Sequence, residues 1–215
     1  MSRSTAAPAW VAAVVALGGS PDAAADAAVD LQRRYAEPHR SYHTTAHVDA
    51  VVGDCALLGA DVRLDVHDRA VVALAACAHD VVYDAQPGAD ELASAAWART
   101  WLTRSGVAPA VIDRVAELVL ATTTHTAAPG DAGAAVLLDA DLAILGATPD
   151  EYTGYVAAVR REYAAFSDDD WRTGRARVLA ALAERERLYL TEPAHHRWER
   201  QARRNIGDER AGLAR

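Results

Sequence analysis

The chain has 215 residues, and its 22 basic against 30 acidic side chains give a formal charge of −8. Every basic residue is Arg, Lys is absent and 51 residues are Ala, so a Lys nucleophile or Schiff base is excluded. The acidic balance argues against duplex DNA as a partner, which needs a basic face, and the length suits one domain with elaborations. Cys55 and Cys77 lie in apolar runs without CxxC spacing, which fits a reducing, cytoplasmic compartment and no disulfide framework. The apolar run 8–17 is too short to span a bilayer and lacks a basic leader.

Ala, Leu and Arg are strong helix formers, and the Val residues recur at helical spacing, as in Val48, Val51, Val52 and Cys55. Gly and Pro punctuation cuts the chain into segments of ordinary helix length. The pattern predicts nine helices, near 8–17, 22–36, 45–58, 66–82, 90–104, 109–123, 132–145, 149–165 and 170–190, with a tenth over 194–205. Helix starts are signalled by Asp22 after Pro21, by Thr44 or Thr45, by Asp90 ahead of Glu91, and by Thr148-Pro149-Asp150-Glu151. The expected fold is all-α: a helical extension over 1–20, a compact bundle over 21–207, and a frayed tail over 208–215 carrying Gly212.

Three stretches carry chemistry. The first, Arg40-Ser41-Tyr42-His43-Thr44-Thr45-Ala46-His47, opens the third helix and holds two imidazoles four residues apart. That spacing lets two histidines share one helical face and one metal, or else they are capping and surface groups. The second, His79-Asp80, ends the very apolar run Val71 to Ala78, where an unpartnered carboxylate is costly and a divalent ion satisfies both groups. The alternative is a helix end reaching solvent. The third, Asp139-Ala140-Asp141, again sets acid inside an apolar run. Residues two apart on a helix point about 200° apart, so only one of the two carboxylates faces such a site.

Together these stretches resemble the HD superfamily of metal-dependent phosphohydrolases, whose ligands follow the order His, His-Asp, Asp. Tyr42-His43-Thr44-Thr45-Ala46-His47 looks like the YHNxxH box of the cyclic-nucleotide phosphodiesterases in that superfamily, with Thr44 in place of Asn. Over residues 25 to 207 the chain is similar to a group of small bacterial predicted HD phosphohydrolases. That similarity adds Tyr35 to Arg40, Tyr83-Asp84, Asp90-Glu91, Ser94-Ala95, Asp139 to Gly146, Arg160 with Glu162-Tyr163, and Ala202-Arg203 with Asn205.

The resemblance implies an HD-type helical domain with His47, His79, Asp80 and Asp141 as ligands of a divalent metal ion (Mn, Mg, Fe, Ni, Co or Zn). It favours Asp141 over Asp139 because the phosphodiesterases place their last ligand in an Asp-Leu context. It sets His43 where they place the general acid that protonates the leaving oxygen. Glu91 and Asp84 are expected to orient the attacking water or a ligand histidine. Arg40 pairs either with a substrate phosphate or with a carboxylate such as Asp84. His125 either touches phosphate or a second metal, or simply ends the sixth helix, and Arg160 is a third substrate-binding position. The implied activity is hydrolysis of a nucleotide or another small phosphorylated metabolite by a metal-activated water. Alternatives within the superfamily are a non-hydrolytic metal- and nucleotide-binding regulator and a di-iron oxygenase, which needs more histidines. Neither duplex nucleic acid nor a membrane is expected as a partner. The Arg-rich run 197–204 reads as a solvated face or a homodimer contact.

Overall fold

The computed structural model describes residues 4–213. Its elements are α1 (Ala6–Ala16), α2 (Pro21–Tyr35), α3 (Thr45–Asp61), α4 (Val66–Ala78), α5 (Ala89–Arg104) and α6 (Pro109–Ala121). They continue with α7 (Ala132–Asp141), a 3-10 turn (Leu142–Gly146), α8 (Pro149–Glu162), α9 (Asp168–Glu184) and α10 (Glu192–Leu213). No strand occurs among the described residues, and the all-α expectation is met. No single helix among them is long and apolar enough to cross a membrane.

Local chemistry explains most boundaries. Pro21, Pro109 and Pro149 each occupy a first helical position, where the missing N–H costs nothing. Ser20, not Asp22, caps α2 by accepting from Ala23 N, while Asp65 and Asp131 cap α4 and α7. Thr148 and Glu151 form a reciprocal capping box on α8. Thr44 precedes α3 but makes no side-chain cap bond. Gly88, at φ +85°, starts α5, and Glu91 accepts from its N–H at 2.5 Å.

α4 is the central rod. Eight of its 13 residues are buried, and it packs against α1, α3, α5, α6 and α7. Small Ala side chains let these helices approach closely. α1 is part of this core, with Trp10 fully buried and its ring 5.1 Å from that of Trp97. α10 crosses the 3-10 turn so closely that a Cβ on Gly146 would stand 2.9 Å from Trp198 Cα.

Three predicted boundaries are corrected. α4 stops at Ala78, not at 82, because the Asp80 and Val82 N–H groups, which would continue the ladder, donate instead to the Tyr35 hydroxyl at 3.3 Å and to Ser94 Oγ at 3.0 Å. α9 stops at Glu184, not at 190, because Arg185 turns extended and the next N–H groups bond to side chains of other helices. The expected frayed tail is helical through Leu213, whose carbonyl accepts from Arg172 at 3.1 Å.

Candidate metal centre and cavity

α3, the turn after α4, and the end of α7 bring His47, His79, Asp80 and Asp141 to one point. His47 occupies the first turn of α3 and is buried, as is His79 immediately beyond α4. The His79 Nδ1–H donates to the Ala76 carbonyl at 2.8 Å, which fixes the tautomer and aims the Nε2 lone pair inward. His47 Nε2 lies 3.1 Å from His79 Nε2. Asp80 Oδ2 is 3.4 Å from His47 Nε2 and 3.1 Å from His79 Nε2, and Asp141 Oδ1 is 3.4 Å from each.

These separations test whether an ion fits. Ligands about 2.1 Å from a common centre stand about 3.0 Å apart across a right angle and about 3.4 Å apart across a tetrahedral one. The five measured spacings of 3.1–3.4 Å fall in that interval, and the four side chains can hold a metal ion. The electrostatics agree. Burial opposes charge on His47 and His79, yet the Asp141 and Asp80 carboxylates outweigh it and raise both pKa values. Burial likewise opposes ionisation of Asp80 and Asp141, and His79 beside them holds both carboxyls well below the usual range. The cluster is a sink for positive charge.

Asp139 takes no part. Its buried carboxylate accepts from Leu190 N and Thr191 N, both at 2.7 Å, at the start of α10. The two acids on α7 face different tasks, as their 200° separation requires.

His43 stands just ahead of α3, with Nε2 3.8 Å from Asp80 Oδ2 and its ring stacked on Tyr83 at 4.0 Å. Its Nδ1 is 2.7 Å from Glu162 Oε2, at the end of α8. The other Glu162 oxygen accepts the backbone N–H groups of Ser41, Tyr42 and His43 at 2.7, 2.7 and 3.0 Å. Burial works to raise the Glu162 pKa, but His43 and these amides bring it down to about 2. Sequence reasoning gave Glu162 no role. It lies about 120 residues from His43, and its only local signal is an acid after two arginines at a helix end.

A cavity of about 600 Å³ opens onto the centre, lined by His43, Asp80, Asp141 and His125 among others. His125 sits in a left-handed turn (φ +49°) after α6, with Nε2 2.9 Å from Asp141 Oδ2. Glu91 also lines the cavity, with one oxygen spent on the Gly88 cap.

Three predicted positions fall elsewhere. Asp84 is exposed and off the cavity wall; only its backbone is engaged, donating to Asp90. Arg40 has a fully buried side chain that donates to Glu37 and to the carbonyls of His43, Asp80 and Val81. Its ion pair is with Glu37, not Asp84, and it builds the loops instead of meeting a phosphate. Arg160 is turned toward the α8–α9 connection, donating to the Tyr163 and Phe166 carbonyls and to Asp168. A comparison of the chain with protein-family models, with curated proteins and with solved structures finds no match in any of the three.

Proposed function

We propose that the chain is a metal-dependent phosphohydrolase of the HD type, acting on a nucleotide or another small phosphorylated metabolite. One observation carries this reading: two carboxylates of the four-residue cluster, Asp80 and Asp141, line the same cavity as a carboxylate-held histidine, His43. A divalent ion bound by His47, His79, Asp80 and Asp141 would supply a Lewis acid for a phosphoryl oxygen and a more acidic water.

The chain's own residues do the rest. Glu162 fixes His43 so that Nδ1–H faces the carboxylate and Nε2 faces the cavity. A water oxygen forms the new bond to phosphorus and gives up a proton to solvent, a proton carried on Nε2 passes to the leaving oxygen as the old P–O bond breaks, and the imidazole is reprotonated from solvent. Stacking on Tyr83 keeps the ring in this orientation. His125, next to Asp141, stands within reach of a phosphoryl group. The two free cysteines are both buried, in keeping with a reducing, cytoplasmic setting.

The test is metal analysis of the purified protein, followed by a phosphoester and pyrophosphate screen with Mn, Mg, Co, Ni and Zn supplied separately. Turnover that disappears in the His79→Ala, Asp80→Ala double variant supports the reading. Stoichiometric metal with no turnover across the screen would instead mark a metal- and nucleotide-binding regulator.

A further inference from the structure

We infer that Arg185 is the anion-binding residue of the cavity, and that the cavity takes a single phosphoryl group joined to an apolar or aromatic body carrying no further negative charge. The inference deepens the phosphohydrolase reading and rests on it only for which bond is cut.

Arg185 follows α9 and lines the cavity wall. Its Nη1 donates to the His125 carbonyl at 3.2 Å and its Nη2 to the Thr124 carbonyl at 3.0 Å. A guanidinium has five N–H donors, so these bonds leave donors to spare. No carboxylate lies within ion-pair distance of it among the described residues. Burial lowers its pKa, and no neighbouring charge opposes that shift. It is therefore a partly desolvated cation without a counter-charge, which an anion would satisfy.

Its position matters as much as its charge. The carbonyls it grips belong to the left-handed turn from which His125 reaches Asp141, so the guanidinium stands one residue from the metal-binding cluster. The other arginine on the wall, Arg175, is already spent on Glu209 at 2.8 and 2.9 Å and on the Tyr155 hydroxyl at 3.1 Å.

The remaining lining sets the substrate class. Beyond the two ligand carboxylates, the wall carries Asp90, Glu91 and Asp170, three acids against one unpaired arginine. A diphosphate or triphosphate tail would meet like charge in a partly dry space. The body of the cavity is apolar, with Tyr163, Trp171 and Leu182 on its wall. At its rim Phe166 and Val178 leave 48% and 51% of their surface exposed. Exposed apolar side chains around a concave opening mark a binding surface for an apolar group.

The experiment is calorimetric titration of the full chain with benzylphosphonate, methylphosphonate and inorganic triphosphate, with bound metal measured separately. Benzylphosphonate is expected to bind about tenfold or more tighter than either other probe. Arg185→Gln should weaken benzylphosphonate about tenfold or more while metal content stays unchanged. Ala181→Glu guards against a folding defect. This residue is exposed on α9, also lines the cavity, and sits four positions before Arg185, so the new carboxylate neutralises the guanidinium without removing it. It should weaken benzylphosphonate in the same direction.

Unchanged affinity in Ala181→Glu, or in folded Arg185→Gln, would show that Arg185 only braces the Thr124–His125 turn and overturn the inference. Tightest binding by triphosphate would overturn the substrate class. If the chain holds no metal and cleaves nothing, yet phosphonate binding still needs Arg185, the phosphohydrolase reading falls and this one stands.

Discussion

Glu162 holds His43 twice, through the backbone N–H at 3.0 Å and through Nδ1 at 2.7 Å. One carboxylate thus fixes both where the loop before α3 runs and which ring nitrogen of His43 faces the cavity. Glu162→Gln is expected to lower kcat about ten- to hundredfold while bound metal stays constant, because the imidazolium loses its counter-charge. An equal rate in wild type and variant, with metal retained, would remove His43 from proton transfer.

The same carboxylate makes a signed pH prediction. Its folded pKa of about 2 lies below the ordinary 4.5, so its stabilisation is complete above about pH 4.5 and is lost as pH falls toward 2. Urea unfolding should show wild type and Glu162→Gln differing by a few kcal/mol at pH 6 and converging between pH 4 and pH 2. A gap that stays constant to pH 3 would contradict the assignment.

Asp139 and Asp141 should fail differently when neutralised. Asp141→Asn is expected to lose bound divalent metal, and with it any rise in melting temperature on adding the ion. Asp139→Asn should keep the metal yet lose about 1–3 kcal/mol, because two N–H groups just ahead of α10, one of them buried, lose a charged acceptor. Metal analysis alongside thermal unfolding separates the two, and the reverse pattern would exchange their roles.

Arg40 and Arg160 offer a contrast between a fully buried guanidinium and a partly exposed one. Arg40→Met should cost about 3 kcal/mol or more, since Glu37 and three carbonyls lose their donor inside the protein. Arg160→Gln, whose partner Asp168 is largely exposed, should cost under about 1 kcal/mol and leave phosphonate binding unaltered. Chemical denaturation with a binding titration checks both.

Gly146→Ala should be among the most damaging single-methyl changes. The added Cβ would stand 2.9 Å from both the Cα and the carbonyl oxygen of Trp198, and backbone cannot swing aside as a side chain can. A loss of about 2 kcal/mol or more is expected by urea unfolding, whereas exposed Gly154→Ala on α8 should be neutral or stabilising.

Periodicity and breakers made the helices legible in the sequence, because Gly and Pro act locally and Ala-rich segments have few alternatives. His79-Asp80 and the pair Asp139 and Asp141 were legible for a similar reason, since charge inside an apolar run needs a partner wherever the chain goes; His47 as a ligand and the preference for Asp141 rested on the resemblance alone. What could not be read were ends and partners decided at a distance. α4 ends where it does because the Tyr35 hydroxyl, 45 residues upstream, and Ser94 Oγ, 12 residues downstream, take the next N–H groups. Arg185 looks like one more charge in Glu184-Arg185-Glu186-Arg187 until the fold sets it against the turn at His125, 60 residues away. Asp84 erred in the other direction: nearness in sequence to His79 did not put it on the cavity wall.

The last turn of α7 carries two anchors, one carboxylate in the cluster able to hold a metal ion and another accepting the N–H groups just ahead of α10. By thermodynamic linkage, whatever rigidifies one must favour the other to the same degree. Removing the chain from residue 192 onward should loosen ion affinity although no ligand is lost, and loading the ion should slow amide exchange along α10. The terminal helix thereby becomes a reporter on the occupancy of a centre to which it gives no ligand.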